Sequence, residues 1–167
     1  MLNLEARLSL LGWTPDSNAR IAMFRPTFQD NIDRMIRALY DHLLKHPECA
    51  ELLSGANIWA HLVAAQRAHW LALFECTFDE AYITNAIRIG QIHHRRKVPP
   101  YIYMGAYNFF LGETLCVAAS AVRSRDLPPL LADVSCLIAL DMYLSLSAYV
   151  RRDWADDIVE NVFVVDL

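Results

Sequence analysis

Glycine is scarce in this chain, at 5 of 167 residues, and no stretch alternates apolar and polar residues between hairpin turns. So few turn formers, with no period of two, exclude a sheet-built domain. Paired cysteines are missing as well. Cys49, Cys76, Cys116 and Cys136 lie far apart with no CxxC pair. That argues against a disulfide scaffold or a zinc finger and fits a reducing cytoplasm. Positive charge is also short. Fifteen Lys and Arg stand against nineteen Asp and Glu, a net charge of -4, which gives no electrostatic footing for nucleic acid. The chain has no GxGxxG, no phosphate loop, no GxSxG elbow and no HExxH. No run reaches the roughly 18 uncharged apolar residues of a membrane span. The longest, around residues 134–150, contains Asp141 and several serines. The N-terminus has charges inside its apolar stretch and no secretory pattern.

What is present is core-forming residues, 55% of the chain, in a length that suits one domain. Their spacing is helical. Leu4, Leu8 and Leu11 share a face and predict a helix over residues 2–11. A short helix through Ile21 and Phe24 is expected to stop before Pro26. A long one then runs over residues 27–44, with Phe28, Ile32, Met35, Ile36, Leu39, Tyr40 and Leu43 on its apolar stripe. His46-Pro47 breaks it, and residues 47–53 form a short helix. Asn57 is the expected cap of a helix over 58–74 that buries Ile58, Leu62, Ala65, Gln66, His69 and Leu73. Thr77, with Glu80 three residues on, reads as a capping box for the next helix. Long helices over 101–122 and from Pro128 to about Asp156 complete an all-α reading of seven to eight helices.

The sequence turns on the stretch from Ile89 to Tyr107. Pro99 and Pro100 cannot continue a helix, so one helix ends and another begins there. His94-Arg95-Arg96-Lys97 places cations at the negative end of the first helix. The same run could also lie near haem propionates. His93, between aliphatic neighbours near the helix end, is either a buried histidine satisfied by a hydrogen bond or an axial ligand of a haem iron. His42 and His46 are four apart, and His61 and His69 eight apart, but no carboxylate completes a recognisable metal set.

Four pieces in order then carry a resemblance. They are Gln66-Arg67-Ala68-His69-Trp70, Leu73-Phe74-Glu75-Cys76-Thr77-Phe78-Asp79, Arg88-Ile89-Gly90-Gln91-Ile92-His93 and Pro100-Tyr101-Ile102-Tyr103-Met104-Gly105-Ala106-Tyr107. His93 follows His69 by 24 positions and Tyr40 precedes it by 29. Together these resemble the globin domain of bacterial globin-coupled sensors, over most of the chain. The resemblance implies a globin fold around one haem b, with no CxxCH for covalent attachment. It implies His93 as the proximal iron ligand, with His94, about 100° round the helix, as the competitor. Tyr103 matches a proximal tyrosine able to hydrogen-bond that imidazole. Tyr40 matches the distal tyrosine, whose hydroxyl donates to O2. Leu62, Ala65 and Gln66 face the bound gas, and His69 is a packing or propionate-side residue. Some members carry Thr near Ala65, and Ala cannot donate, so Tyr40 carries more of the polar stabilisation here.

The function implied is reversible binding of O2, and of CO and NO, as a signal. The output would be a module such as a diguanylate cyclase, a histidine kinase or a chemotaxis transducer. The chain itself is expected to hold no catalytic residues and to be cytoplasmic. Residues 1–156 form the expected sensor domain, with an extra N-terminal helix, and 157–167 the start of a linker. Apolar residues on several faces of the last two long helices suggest a homodimer through them, as the family forms. The alternative is a haem-free all-α dimerisation or interaction domain. A haem enzyme such as an NO dioxygenase is a third reading, but the chain shows no flavin or nicotinamide motif.

Overall fold

Phe28 and Phe74 lie face to face, 3.6 Å between ring centroids, in a computed structural model that describes residues 4–54 and 58–149. Phe110 meets Phe28 edge-on and stacks on Trp70 at 4.0 Å, so three helices share one aromatic centre. The described residues form α1 (Leu4–Leu10), α2 (Ser17–Leu43), α3 (Pro47–Leu52), α4 (Ile58–Phe74), α5 (Glu80–Arg95), α6 (Pro100–Ala121), α7 (Leu127–Leu146) and a closing 3-10 turn, Ser147–Tyr149. There is no strand among them, as the sequence predicts. The expected cap Asn57, the side chain of Ile58 and the linker over 157–167 lie outside the described residues. The last long helix, expected to reach about Asp156, ends at Leu146 and passes into the 3-10 turn.

Pro26 does not break a helix. α2 runs through it, against the sequence expectation. The proline removes one backbone hydrogen bond and costs about 3 kcal/mol in a helix interior. Against that stands an unbroken stripe, Ile21, Phe24, Phe28, Ile32, Met35, Ile36 and Leu39, all buried. Each such side chain contributes about 1.5–3 kcal/mol on burial, so tertiary packing outweighs the local rule. The first turn of α2 is tied to α7 by a buried carboxylate. Asp133 accepts from Ser17 Oγ at 2.6 Å, and from Arg20 Nε and Nη2 at 2.5 and 3.0 Å. Two donors on one guanidinium make that pair bidentate and directional.

α7 is the helix on which most others rest. It packs against α6, α5, α2, α4 and α1. Segment Leu127–Tyr149 is long and apolar enough to cross a membrane by length and composition, with a mean hydropathy of 1.6 in its most apolar window. Its apolar residues have another use here: Leu130, Val134, Leu137, Ile138, Leu140 and Leu144 are buried in the fold's own core. Phe110 and Val117 of α6 are buried there too. Most residues that suggest a partner on sequence grounds therefore have one inside the domain. What remains outside includes Tyr101, Met104 and Tyr143.

The two ends of α5 set its start and the entry into α6. Asp79, not Thr77, is its N-cap: it is extended, and its carboxylate accepts from the Tyr82 N–H at 2.8 Å. The helix starts two residues later than the Thr77 reading requires. At the other end Lys97 takes φ +57°. Its N–H bonds the His94 carbonyl, and the Val98 N–H bonds the His93 carbonyl, the paired closure of a left-handed helix cap. Pro99 is extended and α6 begins at once. The proline corner is where the sequence puts it.

Candidate functional site

His93 sits in the last turn of α5, partly buried. Its Nδ1 lies 2.8 Å from the carbonyl oxygen of Ile89, one turn back. A carbonyl only accepts, so Nδ1 carries the proton. Nε2 then holds the lone pair, and among the described residues nothing hydrogen-bonds it. Burial pushes the imidazole below its ordinary pKa, with the Ile89 carbonyl working the other way. The result is a neutral, oriented ring with a free donor nitrogen, which is what iron ligation by histidine requires. His94, the competitor, is exposed and packs edge-on against Tyr149 at 5.3 Å.

Gly90 explains how α5 is seated. A β-carbon there would fall 1.9 Å from the carbonyl oxygen of Ser145 on α7. Only glycine allows the two backbones so close. Ser145 Oγ in turn donates to the Ala86 carbonyl at 3.1 Å. The crossing lies less than one turn before His93 and sets its height above α7.

Tyr103, on the first turn of α6, meets His93 edge-on at 4.8 Å between ring centroids. Their hydrogen bonds go elsewhere: His93 bonds Ile89, and the Tyr103 hydroxyl lies 3.2 Å from that of Tyr107. Tyr107 donates to Asp141 Oδ2 at 2.7 Å, Tyr82 to Oδ1 at 2.5 Å, and His69 Nε2 lies 2.7 Å from Oδ2. Asp141 is completely buried. Burial alone would raise its pKa, but His69 and the two phenols outweigh it and hold the carboxyl below the usual range. His69 is thus a buried partner of α7, stacked parallel to Tyr82 at 6.2 Å. Sequence reasoning missed Asp141, Tyr82 and Tyr107. The one signal was Asp141, which with Asp133 puts two carboxylates in a largely apolar helix.

A second group forms around Tyr40. Tyr40 of α2 is 7% exposed and packs edge-on against Trp59 of α4 at 5.2 Å, with Gln66 beside its hydroxyl. Burial pushes its phenol up to about 12, with the nearby Gln66 working the other way, so it stays a proton donor. Trp59 is a member the sequence reading did not name. Leu62 is half-buried, as is Gln66. Ala65, expected on the buried face, is exposed. Among the described residues no hydrogen bond or ring contact joins the Tyr40–Trp59–Gln66 group to the His93–Tyr103 group. α4 and α5 meet at their other ends, through His69 and Tyr82. α5 rests instead on α7 and the closing turn. A shallow hollow lined by Asp79, Thr84 and Arg88 lies on α5's first half and includes none of these residues.

The residues present therefore fit a haem. His93 offers a neutral imidazole with a free nitrogen, Tyr40 a protonated phenol with Gln66 beside it, and Leu62 and Trp59 are partly buried apolar neighbours on the helix that carries Gln66. The His42–His46 pair is a poorer metal candidate, because His42 stacks on Phe109 at 4.2 Å.

The globin domain of a Geobacter sulfurreducens globin-coupled sensor superposes with a TM-score of 0.82, at 21% identity, covering 90% of this chain and all of that one. The ferric globin domain of E. coli DosC superposes at 0.72, with 15% identity, covering 84% and 95%. These likenesses show the globin fold, as the sequence predicts. The heme-based aerotactic transducer HemAT of Halobacterium salinarum is 28% identical over 90% of this chain, which spans about a third of that relative's length (34%). The protoglobin family model matches residues 1–154, and the chain belongs to the protoglobin family.

Proposed function

We propose that this chain is a haem-binding globin sensor domain that takes up O2, and also CO and NO, and passes the event to an output module. The observation that carries this reading is His93, held by Ile89 with Nε2 unengaged, on a fold that superposes on sensor globins. His93 is the iron ligand in this reading, with Tyr103 against its ring. Haem b, held without covalent attachment, supplies an iron able to bind diatomic gases. Tyr40 keeps its proton, with Gln66 beside its hydroxyl, so a polar ligand held there meets a donor. Leu62 and Trp59 keep water from that space. Ala65 contributes no hydrogen bond.

The route outward is supported by ring contacts. Tyr103 touches His93 at 4.8 Å and Tyr149 at 5.7 Å, and Tyr149 closes the described chain. A cytoplasmic setting, a linker over 157–167 and an output module of the transducer, kinase or cyclase kind belong to the same proposal. So does a homodimer through α6 and α7. The exposed stripe of α6, Tyr101, Met104, Asn108 and Cys116, with open space at Gly105 and Gly112, supports it.

An absorption spectrum of the purified protein after hemin loading, reduced and then exposed to O2, tests the reading. A Soret band that shifts reversibly with O2 is expected. No Soret band would leave the haem-free interaction domain in its place.

A further inference from the structure

We propose that Asp141 is a positioning residue for the proximal histidine, acting through Tyr107 and Tyr103. The inference rests on the haem-binding reading only for its consequence at iron. The arrangement itself is in the polypeptide.

Donor and acceptor capacities set the direction of every bond in this chain of phenols. Asp141 is buried and ionised, so it only accepts. Tyr107 has a single O–H and donates it to Asp141. Its oxygen is then left as an acceptor, so the 3.2 Å contact with Tyr103 runs from the Tyr103 O–H to the Tyr107 oxygen. The other group beside these phenols is Ser145. Its proton goes to the Ala86 carbonyl, so it also can only accept. The Tyr103 proton therefore goes to the Tyr107 oxygen and not to His93, whose own bond is to Ile89. What Tyr103 brings to His93 is ring contact, 4.8 Å between centroids with the planes 67° apart. The carboxylate thus fixes the direction of a chain ending against the imidazole, although it does not touch His93. His69 and Tyr82 complete the acceptor's shell and keep it charged.

Three single variants separate this role from general stability. Tyr107→Phe cuts the link. Asp141→Asn replaces the pure acceptor with an amide that can donate. Tyr82→Phe removes an equally buried bond to Asp141 and leaves the link intact. In haem-free protein, nitrogen NMR of the histidines should show His93 as one sharp Nδ1–H tautomer in wild type and Tyr82→Phe. It should broaden or mix in the other two. In the haem-loaded ferrous protein, the iron–histidine stretching band should shift in Tyr107→Phe and Asp141→Asn, with the double variant no further displaced than one single. Should Asp141→Asn fail to fold, Tyr107→Phe against Tyr82→Phe still decides. Equal effects of those two on His93, or none from Tyr107→Phe, would overturn the proposal. A missing Soret band with the NMR pattern intact would overturn the haem reading alone.

Discussion

The backbone of Gly90 touches that of Ser145: a β-carbon on one would lie 1.9 Å from the carbonyl oxygen of the other. Neither partner is the end of a flexible side chain, so a larger residue must separate α5 from α7. Overpacking of this kind costs about 1–3 kcal/mol, and Gly90→Ala should lie at the upper end. Urea denaturation would read the loss. Hemin uptake per mole of protein should fall with it, because His93 rides on the same helix. Unchanged stability would mean that the two helices can part at little cost.

Tyr40→Phe removes one hydroxyl and keeps the ring against Trp59. A hydrogen bond to a partly charged acceptor contributes roughly 1.5–3 kcal/mol, and each 1.4 kcal/mol is about tenfold in an equilibrium. O2 dissociation should speed up by about ten- to a hundredfold. CO, which gathers little negative charge when held, should change much less. Stopped-flow kinetics on both gases check this. An unchanged O2 rate would reduce Tyr40 to a core residue and shift any polar stabilisation to Gln66.

His93 and Tyr40 can be singled out from the sequence because each lies in or at a fixed distance from a local motif. The Asp141 cluster is not. Its members stand 72, 59 and 34 positions from Asp141, and alone each is an ordinary tyrosine, histidine or aspartate. Pro26 misleads for the converse reason: the local rule is sound, but the stripe from Ile21 to Leu39 that overrides it gains its energy from α4, α6 and α7. Thr77 offers a good cap pattern, and Asp79, two residues on, offers a better acceptor at the first N–H groups. The apolar faces of α6 and α7 do mark burial, but the burying surface is largely the domain itself.

The same cluster makes stability depend on pH. The Asp141 carboxyl is held lower in the folded chain than in the unfolded one, where it titrates near 3.9. Between those two values the unfolded chain binds the extra proton. The stabilisation is therefore full above about pH 4 and is lost as pH falls through the folded value. Wild type should exceed Asp141→Asn in thermal midpoint at pH 7, and the gap should narrow as pH falls below about 4. A gap that stays constant down to the acid limit would mean that the carboxylate's charge contributes nothing.

One nitrogen, Nε2 of His93, decides whether this fold holds iron as proposed. Ferrous spectra of hemin-loaded His93→Ala and His94→Ala test it directly. Without His93 the five-coordinate histidine-ligated spectrum should disappear. Added imidazole should restore it by entering the vacated space. Loss of exposed His94 should leave the spectrum as in wild type. A normal histidine-ligated spectrum in His93→Ala, or its loss in His94→Ala, would contradict the assignment.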